Sequence, residues 1–524
     1  MTFLHEWALT QPQKIAVQMQ GTDQALNYRE LDERANKVAH WLLSLNLAEG
    51  SVVALLLENN LRTFELWWGI RRAGLYYVPI STLLTGHEAA YIVRDCAATV
   101  LISSLANTSL AADTLGALGD YAPAHRFMVD GQADGFEPYE IAVAACSASA
   151  DLPERSVGRE FMYSSGTTGF PKGIRRPLLP YARRRELPEL EKRLRAMFQL
   201  DAGSVFLSVS PLYHATGRFN IRVIECGGTC VIMRKFDAET ALAAIERHRI
   251  THGHWVPTMF SRMLALDPAV RARYDLSSQR VALHATAPCP KHVKEAMIGW
   301  WGPIINEYYG GSENVGVTYI DAGQWLSRKG SVGKPICGEV HIMADDGEDR
   351  ELAPGEIGLI YFNGGVGFQY HNDTQKTQSV FNRRGWGTYG DMGHLDEDGF
   401  LFMSDRRTDL IISGGVNIYP QEAENVLLTH GSVADAAVIG VPNEDFGQEV
   451  KAVVQLKAGL QPSTELAGEL VEYCREQLSR IKCPRTVDFA HELPRSENGK
   501  LLKRVLRERY AAPSPSTAAA AQGC

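Results

Sequence analysis

Residues 163–173, YSSGTTGFPKG, place two serines, two threonines, three glycines and one lysine within eleven positions. Small residues let backbone N–H groups and hydroxyls converge on a polyanion, and a nearby lysine supplies countercharge. Phosphate is the guest such a loop suits. A Walker A loop needs glycine directly before the lysine and Ser or Thr directly after it, whereas here Pro171 precedes Lys172 and Gly173 follows. That spacing excludes a P-loop NTPase. The bland alternative, a polar turn that only joins two strands, is common for short loops but rarely runs this long or ends in Pro-Lys-Gly. Cys226 and Cys230 are four apart, yet no His or second Cys pair completes a metal-ligand pattern, so they read as core thiols and no structural zinc is expected.

Further motifs follow in order: PLYH at 211–214, ATAP at 285–288, NEYYGGSE at 306–313, YGDMGHLDEDG at 389–399, SDRRTDLIISGGVNIYPQEAE at 404–424 and PRSENGK at 494–500. Taken with the first loop, they resemble the adenylate-forming superfamily of acyl- and aryl-CoA synthetases, peptide-synthetase adenylation domains and beetle luciferases. The resemblance spans nearly the whole chain.

The resemblance implies a role for each matching residue. Ser164, Ser165, Gly166, Thr167, Thr168, Gly169 and Lys172 would hold the ATP phosphates that leave as pyrophosphate, with Lys172 mobile. Tyr309 would offer a flat face to adenine. Glu307, with Tyr308, Gly310 and Gly311 around it, would lie near the adenine amino edge, and Ser312 would bond the α-phosphate. Thr286, Ala287 and Pro288 would pack the other face of the base; His284 and Ala285 precede them. Asp391 suits both ribose hydroxyls, having two acceptor oxygens, and Arg406 would add a ribose contact. Glu313 is the implied magnesium ligand, since a hard cation that keeps waters and phosphates needs only one carboxylate from the protein.

His214 would stand beside the substrate carboxylate, and Lys500 would bridge that carboxylate and the α-phosphate as a point charge on a long stem. Gly414 and Gly415 would line a coenzyme A thiol tunnel once the C-terminal domain rotates about DRRTD. The hinge position usually carries Asp or Lys, and Thr408 stands there. His214, Gly217, Arg218 and Gly310 fall in the expected substrate pocket. Arg218 and Arg222, four apart on a helix, either meet an anionic or carbonyl group of the substrate or face solvent or an internal acid.

The implied activity is ATP-dependent acid–CoA ligation, in which an acyl-adenylate forms with release of pyrophosphate and then a thioester with coenzyme A. A bulky, largely apolar acid of fatty, steroid side-chain or aromatic type is expected. Alternatives are transfer of the acyl group to a carrier protein, oxidative use of the adenylate, and a non-catalytic scaffold. Keeping Lys172, Glu313, Asp391, Arg406 and Lys500 together speaks against the last.

Amphipathic helices alternate with short apolar runs from Tyr28 to Ser104 (LDERANKVAHWLLSLN, SVVALLL, TFELWWGIRRAG, YYVPI, HEAAYIVRDC, TVLISS). This pattern predicts a mostly parallel α/β sheet. A charged helix is expected over YARRRELPELEKRLRAMFQL, with strands at VFLSVSPL, TCVIM, HGHWVP and VALHATAP. From about residue 355, EIGLIYF and GWGTYGDMGHLDEDGFLFMSD read as antiparallel hairpins. The expected class is therefore α/β: a large N-terminal domain of layered sheets plus a β-rich subdomain at 1–405, a small mobile α+β domain at 406–510, and a frayed tail at 511–524.

The 524 residues, 45% hydrophobic, suffice for a large core in two or more domains. A net charge of -8 gives no basic field for a nucleic-acid backbone. Nine cysteines without a CxxC pair suit free thiols in a reducing compartment. No signal-like N-terminus or uninterrupted apolar span occurs, so a cytosolic location is expected, with a homo-oligomer left open.

Overall fold

The helix–strand alternation of the N-terminal third builds a six-stranded parallel sheet in which Ala98–Ser104, Val52–Leu56 and Tyr76–Pro79 run side by side. All five residues of Val52–Leu56 are buried. Both faces of a parallel sheet are covered by its crossover helices, hence the unbroken apolar run. The first long helix, Tyr28–Ser44, starts at a capping box between Asn27 and Glu30.

The computed structural model describes residues 3–164, 171–346, 348–365, 367–413, 416–443, 446–496 and 499–511. Among them, a second sheet has thirteen strands. Its centre is four parallel neighbours: β1 (Val205–Ser208), β2 (His252–Trp255), β3 (Val281–His284) and β4 (Ile305–Gly310). Beyond β4 the sheet turns antiparallel through Val317–Ile320, Ser331–Pro335 and Leu401–Arg406 to Asp391–Leu395, Gly358–Phe362 and Val340–Met343. The hairpins expected after residue 355 thus form and extend this same sheet. One apolar core, including Trp67, Trp68, Phe206 and Phe219, lies between the two sheets; another, with Trp255, Phe260, Trp301 and Trp325, covers the opposite face of the large one.

The charged helix expected over residues 181–200 is shorter, covering only Glu189–Met197, with a single 3-10 turn at Tyr181–Arg183. Pro188 is the reason: the residue before a proline is steered out of helical geometry, so the helix starts after it.

The described residues between 411 and 510 fold around two apolar clusters of their own, against a three-stranded sheet of Val433–Asn443, Gly447–Leu456 and Thr486–Phe489. DRRTD lies where the strand Leu401–Arg406 passes into one 3-10 turn, Arg407–Asp409. Among the described residues no helix is long and apolar enough to cross a membrane. Residues 512–524 of the expected tail lie outside the described ones.

Candidate active site

Because β1 to β4 are parallel, their carboxyl ends share one edge of the sheet, which is where open α/β sheets hold ligands. PLYH follows β1, Val256-Pro257-Thr258 follows β2, ATAP follows β3, and β4 runs out through Gly310 into GGSE. Segments far apart in sequence therefore converge by register alone. In ATAP, Thr286 has φ +82°, a conformation that a β-branched residue adopts at a cost of about 1–3 kcal/mol. Thr286 and Pro288 are exposed and Ala287 is half-buried, so this strained segment presents itself at the edge.

Tyr309 is half-buried, and its hydroxyl donates to Asp391 Oδ2 at 2.6 Å. Asp391 is itself buried and sits opposite Arg406 in the antiparallel register. The expected adenine platform and ribose carboxylate are thus one hydrogen-bonded unit. Gly311 runs against the ring of Tyr389, where a Cβ would collide. Ser312 and Glu313 follow, both half-buried.

The Glu313 carboxylate accepts from the Tyr370 hydroxyl at 2.8 Å, through Oε1. Tyr370 lies on the short strand Gln369–Tyr370, which pairs with Lys172–Arg175. One residue past the next turn, Asp373 Oδ2 meets Lys172 Nζ at 2.7 Å. The lysine of the phosphate loop and the metal-ligand candidate are therefore joined through one segment, 369–373. The second oxygen of Glu313 has no hydrogen-bond partner among the described residues. A single half-exposed carboxylate with a spare oxygen fits magnesium, which completes its shell with waters and phosphates.

Glu307 is placed differently from the adenine-edge position expected of it. Its carboxylate accepts from Lys294 Nζ at 2.6 Å, with His284 Nε2 3.5 Å away, all three side chains being buried. Alternation along β4 sends Glu307 toward the helix Lys291–Trp301. Burial raises the Glu307 carboxyl, partly offset by Lys294, and burial beside Lys294 keeps His284 neutral.

Tyr308, on the other face of β4, bonds His254 Nε2 at 3.2 Å and packs with Phe198, while His254 stacks on Phe219 at 5.4 Å. Burial, aided by Arg222, pushes His254 down to about 3. His214 opens the turn before helix α1 (Arg218–Glu225), its carbonyl accepting from Gly217 N at 2.8 Å. A Cβ on Gly217 would collide with the Leu212 carbonyl, so the tight turn requires glycine. Arg218 meets Glu160 at 3.2 Å and Arg222 meets Glu191 at 2.7 Å, so both arginines face internal acids.

Lys500 is half-buried in a turn closed by Ser496 N to Lys500 O at 2.8 Å and fastened by Arg495, which grips Asp435 with two nitrogens at 2.7 and 2.8 Å. Gly499, at φ +72°, lies against Thr258 beyond β2. Of the remaining expectations, Ser165, Gly166, Thr167, Thr168, Gly169, Gly414 and Gly415 lie outside the described residues, as do the side chains of Ser164 and Arg406.

The family model of AMP-binding enzymes matches residues 4–369, and that of the AMP-binding enzyme C-terminal domain matches 422–500. The chain belongs to the AMP-binding enzyme family. Long-chain-fatty-acid–CoA ligase FadD13 of Mycobacterium tuberculosis is 29% identical, over 97% of this chain and 99% of its own. The 2-succinylbenzoate–CoA ligase of Geobacillus kaustophilus is 32% identical, over 97% and 98%. Among solved structures, ATP-bound MatB from Rhodopseudomonas palustris matches with TM-score 0.81 and 27% identity, over 97% of this chain and 99% of that one. This AMP-binding enzyme is accordingly of the acid–CoA ligase type and binds ATP.

Three residues at this AMP-binding enzyme's candidate site escaped sequence reasoning. Asp373 and Tyr370 lie about 200 residues from Lys172, and only a reading of FQYHND as a strand and turn returning to the loop could have found them. Lys294 carried no signal, being one of several charges on an amphipathic helix.

Proposed function

We propose that this AMP-binding enzyme activates a bulky, largely apolar carboxylic acid as its acyl-adenylate and then transfers the acyl group to coenzyme A. The observation carrying this reading is the convergence of four strand ends, the Tyr309–Asp391 pair and the Lys500 turn on one edge of the sheet. Tyr309 and Ala287 sandwich the base, and Asp391 accepts the ribose hydroxyls. The acid enters past His214 over the aromatic wall of Phe198, Phe219, His254 and Tyr308. A carboxylate oxygen attacks the α-phosphorus, a P–O bond forms as the bond to pyrophosphate breaks, and Lys500 offsets the charge on the transferring oxygens. Magnesium held at Glu313 would supply further positive charge to the departing pyrophosphate.

Lys172 changes partner in this scheme. Its ion pair with Asp373 stabilises the lysine without phosphate, and the polyanionic leaving group draws it away. After pyrophosphate leaves, the unit from 406 to 510 rotates about Arg407–Asp409 against the body 1–405, withdrawing Lys500 and bringing Gly414 and Gly415 to the thiol. A cytosolic, reducing location agrees with the eight cysteines described, all free thiols.

The test is pyrophosphate release from ATP and magnesium across fatty, aromatic and alicyclic acids, with and without coenzyme A, for wild type and Lys500→Ala. Acid-dependent release that needs coenzyme A for turnover and collapses in the variant is expected. Release indifferent to coenzyme A would remove the thioester step, and no release with any acid would remove the reading.

A further inference from the structure

Beside Phe219, whose ring Arg222 covers, acids and arginines are out of balance. Arg176 and Arg218 share Glu160, the latter at 3.2 Å; Arg222 holds both oxygens of Glu191 at 2.7 Å; Arg71 and Arg195 share Glu225 at 3.1 and 2.5 Å. Arg218 and Arg195 also pull on Glu191, so the three groups form one electrostatic cluster. Burial would raise Glu160 and Glu191, but the guanidiniums outweigh it and keep both carboxyls ionised, Glu191 at about 2. Five guanidiniums are ion-paired to three carboxylates, and Arg159 adds its charge near Glu160, so positive charge exceeds negative within the cluster.

Buried charge is costly unless paired, so a cluster serving structure alone would be expected to balance. Its donors are also incompletely used. Nε of Arg218, Nε of Arg195 and Nη1 of Arg71 are buried without a hydrogen-bond partner among the described residues. Arg218 is the most accessible of the five, its side chain 22% exposed. It stands one turn beyond His214, and with Arg222 it acts on the half-buried Tyr308 hydroxyl. The neighbouring His254 is neutral and adds no charge.

We propose that the substrate acid carries a second anionic group, a carboxylate or sulfonate set apart from the reacting carboxyl by a compact apolar body, and that Arg218 receives it. This rests on the acid–ligase reading and narrows its substrate. The aromatic wall takes the body of the acid, and the second anion supplies the charge the cluster lacks. A planar guanidinium with a spare N–H is suited to a carboxylate.

The experiment compares matched acids: phenylacetate with 1,4-phenylenediacetate, cyclohexanecarboxylate with cyclohexane-1,4-dicarboxylate, and octanoate with octanedioate. Pyrophosphate release is measured for the full chain as wild type, Arg218→Met and Arg218→Lys. In at least one pair, wild type should prefer the diacid by about tenfold or more in kcat/KM. Arg218→Met should lower the diacid-to-monoacid ratio by roughly thirtyfold, mainly through KM, the size expected for losing a charged hydrogen bond. Arg218→Lys should retain part of the preference. Preference for the monoacid in every pair, or equal losses for both members in Arg218→Met, would overturn the proposal. If Arg218→Met does not fold, by its thermal transition, the wild-type ratios decide alone. Activity confined to monoacids sinks this inference but leaves the ligase reading standing, whereas silence with every acid sinks both.

Discussion

Gly499 lies so close to Thr258 that a Cβ on it would sit 2.7 Å from the threonine Oγ1. The contact joins the turn of Lys500 to the segment after β2, and φ at Gly499 is +72°, so two constraints demand glycine. Gly499→Ala should lower acid-dependent ATP–pyrophosphate exchange by about tenfold, equivalent to about 1.4 kcal/mol of strain and lost approach. Thioester formation from a presynthesised adenylate should suffer less. Adding Thr258→Ala should restore part of the exchange rate, and absence of any restoration would mean that the contact is not used in adenylation.

Tyr309 and Asp391 make the second test. A neutral hydroxyl donating to a buried carboxylate is worth about 1.5–3 kcal/mol. Tyr309→Phe keeps the ring but removes this donor from the carboxylate, so the KM for ATP should rise severalfold with kcat little changed. Asp391→Asn should cost more, because the amide offers one acceptor oxygen where the ribose needs two. Equal KM values for wild type and both variants would separate these residues from nucleotide binding.

The motif order made the site legible from sequence because its residues sit on strand ends and glycine turns, where local chemistry fixes residue type. The same legibility failed at Glu307. Sequence puts it two positions before Tyr309, on the same face of the strand, but an unannounced partner, Lys294, holds its carboxylate against the helix Lys291–Trp301. Arg218 and Arg222 were ambiguous for a related reason. Their acids, Glu160 and Glu191, are 58 and 31 residues away, and nothing local announces such pairing. The strands and helices from Tyr28 to Ser104 followed their periodicity closely, whereas the helix expected over 181–200 gave way to Pro188.

Lys294 and Glu307 should behave as a buried pair whose halves cannot be removed singly. Lys294 is fully buried, over the Trp325 ring at 4.8 Å and 2.6 Å from the carboxylate. Lys294→Met or Glu307→Gln leaves one polar group stranded and should cost about 3–5 kcal/mol in chemical denaturation. The double variant Lys294→Met/Glu307→Gln should lose much less than the sum, since no buried charge is left over. Additive losses in the double variant would show that the pair does not act as a unit.

Three buried histidines set the acid side of the stability curve. Burial holds His252 down at about 4 and His254 at about 3, and keeps His284 well below its ordinary value. In the unfolded chain each titrates near 6.5. Below that pH the unfolded state binds protons that the native state refuses, so stability is complete above about 6.5 and falls as pH drops toward 4. Each histidine contributes about 1.4 kcal/mol per pH unit in that interval. His254→Phe is the informative variant, because the ring already stacks between Phe219 and Tyr308 and an uncharged ring can take its place. Urea midpoints followed by tryptophan fluorescence at pH 7, 6 and 5 should fall less steeply in the variant, by about one proton's worth of slope. Parallel curves for the two proteins would mean that His254 does not stay neutral in the folded state.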